Sequence, residues 1–326
     1  MERNSALPAK ALAWIVSDGR RGIENQPLGL GEALARQFAT HGCTLDLDTV
    51  HVHKDGRVSL PSTPPDLWLG CGRAALKQAR RHRRIFPSTY FIYVQDPRHS
   101  HDLFDLIIAP SHDRLRHDRA ISMLGSPNRV TPDRLRAVEP DFVEAIAALP
   151  DKKAAVLIGG PSKRFRMPSQ TETYLVQRLK GLLDQGLGLM VTVSRRTPQT
   201  IRQQLAQALK DRADVVFHDG TGTNPYFSFL SAADWIFVTE ESTNMLVEAA
   251  ATGAPVYALS LPGEAGKFSR LHAALSAHGA MKRYLGTLEH WSYTPLNETP
   301  RIAAQVLDRW TRFRQTLTDD EMDIST

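Results

Sequence analysis

Cysteine is scarce: Cys43 and Cys71 are the only two in 326 residues. That excludes the disulfide framework of a small secreted domain and fits a reducing compartment. No apolar run approaches the roughly 20 residues that cross a bilayer. The opening Met1-Glu2-Arg3-Asn4 lacks the apolar stretch of a signal peptide. A soluble, cytoplasmic protein is expected. Two phosphate-binding fingerprints are also missing. No Gly-x-x-x-x-Gly-Lys-Ser/Thr spacing marks a Walker A loop, and no Gly-x-Gly-x-x-Gly marks a dinucleotide fold. Core-forming residues are not scarce: 42% hydrophobic and 23% charged is globular composition and argues against intrinsic disorder.

The length suggests two domains. The net charge of +5 favours anionic partners, such as a nucleotide phosphate, an anionic membrane surface or a nucleic acid. Basic residues concentrate between Lys77 and Arg84 and between Lys163 and Arg166.

Apolar runs alternate with helical patterns in both halves. In the first, strands are expected over 13–17, 44–52, 66–70, 90–94 and 106–109, with helices over 28–41 and 73–83. The alternation restarts after residue 150. Strands are expected there over 154–158, 187–193, 215–218, 235–239 and 255–261. Helices are expected over 169–185, 198–210, 226–233, 243–252 and 268–278. Near-continuous apolar strands separated by helices indicate parallel sheets covered on both faces. The fold class is therefore α/β: two doubly wound, Rossmann-like domains, 1–150 and 151–299, facing each other across a cleft. A tail helix over 300–317, within the segment 300–326, is expected to pack back on the first domain.

Such folds bind ligands beyond the carboxyl ends of their strands. Four loops stand there. Ser17-Asp18-Gly19-Arg20-Arg21-Gly22 reads equally well as an anion site or as a tight strand-to-helix turn. In Gly159-Gly160-Pro161-Ser162-Lys163, glycine N–H groups, a hydroxyl and a cation suit a phosphate or carboxylate. Ser194-Arg195-Arg196 offers two guanidiniums for a diphosphate, or merely a solvated helix start. In Thr239-Glu240-Glu241-Ser242-Thr243-Asn244, Ser242 or Thr243 is expected to cap a helix whose N–H groups receive a phosphate. Glu248, further along it, is placed to accept hydrogen bonds from ribose hydroxyls. Alone it would read as a surface carboxylate. Glu240 and Glu241 would repel a phosphate unless they point away or pair with Arg195, Arg196 or Lys267.

Across nearly its whole length the chain resembles the mitochondrial fission ELM family. The resemblance rests on Asp18-Gly-Arg…Glu24-Asn-Gln-x-Leu-Gly-Leu, Gly70-Cys-Gly-Arg, Gln95-Asp-Pro-Arg and Phe104-Asp-Leu-Ile-Ile-Ala-Pro. It continues through Ser194-Arg-Arg-Thr-Pro, Asn224-Pro-Tyr and Thr239-Glu-Glu-Ser-Thr-Asn-Met. The second half is also similar to the nucleotide-binding domain of GT-B glycosyltransferases and UDP-N-acetylglucosamine 2-epimerases. Gly159, Gly160 and Ser162 match their first loop. Thr243, Glu248, Ala249, Gly253 and Pro255 match their donor-binding helix. That resemblance implies Glu248 on the ribose and Ser242–Asn244 on the diphosphate. Two positions depart from it: Glu241-Ser242 replaces a Gly-containing loop, and Ile23 follows Gly22 where several GT-B enzymes place a His.

Sugar transfer needs a base near the acceptor hydroxyl. Asp18, Asp96, His112 and Asp113 follow three first-half strands, with Asp18 favoured and His112 second. His51-x-His53 and His99-x-His101 could share a strand face, but no carboxylate or Cys pattern completes a metal site. No metal or cofactor is expected beyond a nucleotide-sugar donor as substrate. The basic run 79–84 reads as solvated charge at a helix C-terminus or as a contact with an anionic membrane surface, where a lipid-linked acceptor would sit. No recognised motif points to nucleic acid. The expected function is sugar transfer from a nucleotide-activated donor, in surface polysaccharide or lipopolysaccharide assembly, by a cytoplasmic protein peripheral at the inner face of the membrane. The alternative is a non-catalytic interaction protein of the same fold acting in membrane or organelle organisation.

Overall fold

A computed structural model describes residues 7–324. The chain forms two compact units. The first runs through Arg129 and resumes at Asn297; the second is Val130–Leu296. The expected breaks near 150 and 300 differ from this division at both ends. Residues 130–149 belong to the second unit, where the Glu139 N–H donates to Ser228 Oγ at 2.8 Å and Phe142 meets Phe229 edge-on.

In the first unit, β1 (Lys10–Ser17), α1 (Arg21–Thr40), β2 (Thr44–His51), β3 (Leu67–Cys71), α2 (Gly72–Ile85), β4 (Tyr90–Val94), β5 (Leu106–Pro110) and β6 (Ala120–Met123) follow in order. The sheet is β2-β1-β3-β4-β5-β6, parallel throughout. Strands β3, β4 and β5 are buried at every residue, because both faces are covered. The sequence pattern placed the start of this helix near residue 28, after a glycine-bearing loop. The helix instead begins at Arg21 and carries Pro27 inside it, and the Gln26 amide donates to the Gly22 carbonyl at 2.9 Å.

The second unit contains α3 (Pro132–Arg136), α4 (Val143–Ala147), β7 (Lys153–Ile158), α5 (Ser169–Leu183), β8 (Gly188–Val193), α6 (Gln199–Ala208) and β9 (Val215–His218). It continues with α7 (Tyr226–Ala232), β10 (Trp235–Thr239), α8 (Thr243–Ala250), β11 (Val256–Leu259), α9 (Phe268–Ala277) and β12 (Met281–Arg283). Its parallel sheet is β12-β11-β10-β7-β8-β9. The order in which strands are added reverses between the parallel neighbours β7 and β10, as in a dinucleotide-binding sheet, and a crevice opens at such a reversal.

Helix α10 (Glu298–Ile324) returns to the first unit. Its Ile302, Val306 and Trp310 recur at helical spacing and join the core against α1, and Trp310 meets Phe38 at 5.4 Å between ring centroids. Among the described residues no helix is long and apolar enough to cross a membrane.

Candidate functional site

The β7/β10 reversal is built from three strand ends. After β10, Glu241 turns its carboxylate inward, where its side chain is fully buried. Its Oε1 accepts the Gly160 N–H at 2.9 Å and lies 3.9 Å from the Arg196 guanidinium. Oε2 is buried with no hydrogen-bond partner. Burial pushes the carboxyl up to about 7, against the Thr239 hydroxyl, the Gly160 N–H and the Arg196 charge, which pull it down.

The glycines serve a different purpose from the one expected. The Gly159 N–H donates to Thr239 Oγ1 at 2.8 Å and the Gly160 N–H to Glu241, so neither is presented to a ligand. A Cβ on Gly159 would lie 1.7 Å from Glu241 Oε1, and one on Gly160 would lie 2.4 Å from the Arg196 backbone. Glycine is required because a carboxylate and a third loop press on this turn. The two arginines are used differently. Both are exposed, but Arg196 donates to the Gly160 and Pro161 carbonyls at 3.3 and 3.1 Å. Ser194 Oγ accepts the Arg196 N–H, and Thr197 Oγ1 ties the same loop to the Gly159 carbonyl at 2.5 Å.

Ser162 closes its own turn, its Oγ accepting the Arg164 and Phe165 N–H groups, with Lys163 exposed beside it. Ser242 stands at the N-cap of α8, but its side chain makes no cap hydrogen bond, contrary to expectation. Thr243 and Asn244 are half-buried in the first turn. The positive end of the helix dipole therefore lies beside a buried acid. Glu248 is buried rather than on the surface. Tyr226 donates to its Oε2 at 2.5 Å, a partner that sequence reasoning missed. The nearby acid Glu240 is turned away, accepting the Leu261 N–H at 2.7 Å. The expected pairing of an acid with Arg196 holds for Glu241 alone.

In the first unit the candidate bases follow β1, β4 and β5, His112 and Asp113 together after the last. Asp18 is held by Arg20, whose Nε reaches Oδ1 and Oδ2 at 3.0 and 2.9 Å. Partial burial works to raise the Asp18 pKa, but the Arg20 hydrogen bonds and charge outweigh it and hold the carboxyl below its ordinary value. Asp96 accepts the Arg98 N–H at 2.8 Å and lies 3.3 Å from His101 Nε2, and the His101 ring stacks on His117. The His112 side chain is buried, with Nε2 3.6 Å from the equally buried Asp113 Oδ1. A further group was not singled out from the sequence: Ser17 Oγ donates to Glu24 Oε1 at 2.9 Å, and His51 Nδ1 lies 3.5 Å from the same oxygen. Among the described residues no group of three or more His, Cys, Asp or Glu side chains could hold a metal ion.

Comparison with solved structures places both sheets in a known context. UDP-GlcNAc 2-epimerase from Methanocaldococcus jannaschii aligns at TM-score 0.55 and 11% identity, over 91% of this chain and 99% of that one. The Neisseria meningitidis enzyme bound to UDP-GlcNAc aligns at 0.52 and 11%, over 93% and 94%. At such identity the likeness is one of fold, and the fold is α/β and GT-B-like. By sequence the chain is 25% identical over 289 residues to mitochondrial fission protein ELM1 of Arabidopsis thaliana, covering 80% of this chain and 68% of that protein. The Mitochondrial fission ELM1 family model matches residues 21–310. This chain belongs to the mitochondrial fission ELM1 family.

Proposed function

We propose that the chain is a nucleotide-sugar enzyme that transfers a glycosyl group in surface polysaccharide or lipopolysaccharide assembly. We propose that it acts from the cytoplasmic side on a lipid-linked acceptor. One observation carries the reading: three loops interlock at the β7/β10 reversal, where the α8 N-terminus begins, while Glu248 is fixed by Tyr226. The diphosphate would lie at the start of α8, with the exposed Arg195 and Lys163 as its cations. Glu248 would hold the ribose. Written as direct displacement, the acceptor oxygen bonds to the anomeric carbon while the bond from that carbon to the diphosphate oxygen breaks. The diphosphate departs with the electron pair, and the helix terminus and cations stabilise its charge. The acceptor proton passes to a base. We take His112, whose Nε2 lies 3.6 Å from Asp113 Oδ1, as that base in preference to Asp18, whose affinity for a proton Arg20 reduces.

The test is calorimetry with UDP-, GDP-, ADP- and CMP-linked sugars, on wild type and Glu248→Gln. A hydrogen bond from a ligand hydroxyl to a charged group contributes about 1.5–3 kcal/mol, so the variant should bind roughly 10- to 100-fold more weakly with its melting unchanged. No binding of any donor by folded protein would overturn the reading. A second reading, a non-catalytic interaction protein, is favoured by the internal use of both glycine N–H groups. It requires that no nucleotide sugar be bound or turned over.

A further inference from the structure

Helix α2, GRAALKQARRHRRI, contains no acidic residue. Its Gly72, Ala75, Gln78, Ala79 and His82 are buried against the first sheet. Arg73, Lys77, Arg80, Arg81 and Arg84 are all exposed. Positions 73, 77, 80 and 84 follow the four-three-four spacing of one helical stripe, with Arg81 beside it. Ile85, 48% exposed, ends it.

The neighbouring Arg83 shows how a cation of this helix is otherwise neutralised. Its guanidinium grips Asp105 at 2.5 and 2.7 Å and lies over the Phe91 ring. Among the described residues no ion pair or hydrogen bond engages the side chains of the five stripe residues. Attraction to the helix C-terminus accounts for Arg84, in the last turn. It does not account for Arg73 or Lys77, because Arg73 lies in the first turn, where the helix dipole repels a cation. Cations three and four residues apart also repel one another. The stripe is therefore an exposed positive face that no acid among the described residues pairs with.

Lys77, Arg80, Arg81, Arg84 and Ile85 line a shallow cavity of about 430 Å³. An amphipathic helix bearing four to eight cations, with an apolar residue at its edge, matches an anionic bilayer: cations at headgroup level, the apolar side chain below it. Nucleic acid fits less well. The exposed stripe offers no aromatic ring for base stacking, and the Gln78 amide, which could read a base edge, is spent on the Gly56 carbonyl at 2.8 Å.

We propose that the exposed face of α2 docks the protein on an anionic phospholipid membrane. This rests on none of the residues of the donor site, so the two readings can fail separately. The experiment is co-sedimentation of the full chain with vesicles of phosphatidylcholine, with and without phosphatidylglycerol, at low and high salt. Binding should require phosphatidylglycerol and weaken with salt. Arg73→Gln and Lys77→Gln should each lower the partition coefficient about fivefold, and neutralising all five cations should abolish binding. Ile85→Ser should weaken binding with charge unchanged. Lys210→Gln, an exposed cation of the second unit, should bind as wild type. Equal binding to neutral vesicles would overturn the proposal, as would retained binding by the five-site variant. Tighter binding of RNA through the same five residues, insensitive to Ile85→Ser, would reassign the face to nucleic acid. Unchanged circular dichroism and melting of each variant keep these outcomes separate from misfolding.

Discussion

At the β1/β3 reversal of the first sheet, α2 starts directly from β3 and Ile23 of α1 packs over Gly72. Gln26 Oε1 accepts from the Cys71 thiol at 3.7 Å and the Gln95 amide at 3.3 Å, with the Asp18–Arg20 pair on the loop that follows β1. At the β7/β10 reversal of the second sheet the filler is a carboxylate, Glu241, under two glycines. The same topology thus holds partly exposed, paired charges at the rim of one reversal, Asp18 with Arg20, and a fully buried acid inside the other. A carboxylate held by a neighbouring guanidinium stays ionised over the neutral range. A reversal holding a buried acid beside an arginine and a helix N-terminus has an electrostatic state that a ligand or proton can change. The units also differ in how they are made. The second is one stretch of chain, whereas the first depends on α10, more than 150 residues downstream of its last strand.

The comparison can be broken first at the rim of the first sheet. If its acids are spent on structure and His112 is the base, His112→Gln should lower turnover roughly 10²- to 10⁴-fold with donor affinity unchanged. Asp18→Asn should cost less than about tenfold. The reverse ranking in steady-state kinetics would return the role to Asp18. Next in size is Trp310→Ala. Truncating a buried aromatic of this kind costs about 3–5 kcal/mol. Hydrogen exchange should show the loss in the first unit's strands, with the second unit's protected as before. Loss spread evenly over both would deny their independence.

The contrast in charge predicts opposite pH dependence. Glu241 titrates near 7 in the folded chain against an ordinary 4.5. As pH rises from about 4.5 the unfolded chain ionises first, so the second unit loses stability up to about pH 7. The loss amounts to up to about 3 kcal/mol. In the first unit, burial lowers His82 to about 4 from 6.5, and Trp68 Nε1 donates to its Nδ1 at 3.0 Å. There the unfolded chain takes up the proton first, and stability falls as pH drops from 6.5 towards 4. Denaturation of wild type and Glu241→Gln across this range should give a difference curve that varies from about 4.5 to 7 and is flat above it. A flat curve throughout would remove the distinction between the two reversals. The smallest effect is expected from Tyr226→Phe. Freeing Glu248 from its hydroxyl partner removes one hydrogen bond of order 1 kcal/mol. Calorimetry should show donor affinity lowered about fivefold.

Much of the architecture could be read from the chain alone. Strands β4 and β10 stand at the residues their apolar runs indicated, because a parallel strand covered on both faces needs an unbroken run, and the half-buried edge strand β9 was marked by its Val-Val-Phe run. The edge strands β6 and β12 were missed. AISM and MKR alternate or expose most of their residues, and so carry too weak a pattern. The loops that flank the second reversal were also readable, from Gly-Gly and a Ser-Thr helix start after apolar strands.

Their contents were not. Sequence counted Glu241 as an obstacle to phosphate and Glu248 as a ribose ligand or surface acid. It could not show that the first carboxylate lies beneath Gly160, 81 residues away, or that the second is bonded to Tyr226, 22 residues away. Helix and strand periods are local, set by backbone geometry and solvent, so a single stretch of chain reveals them. Burial of a particular acid, its proton affinity and its hydrogen-bond partner depend on distant segments brought together by packing. Those properties exist only once the sheet has closed around them.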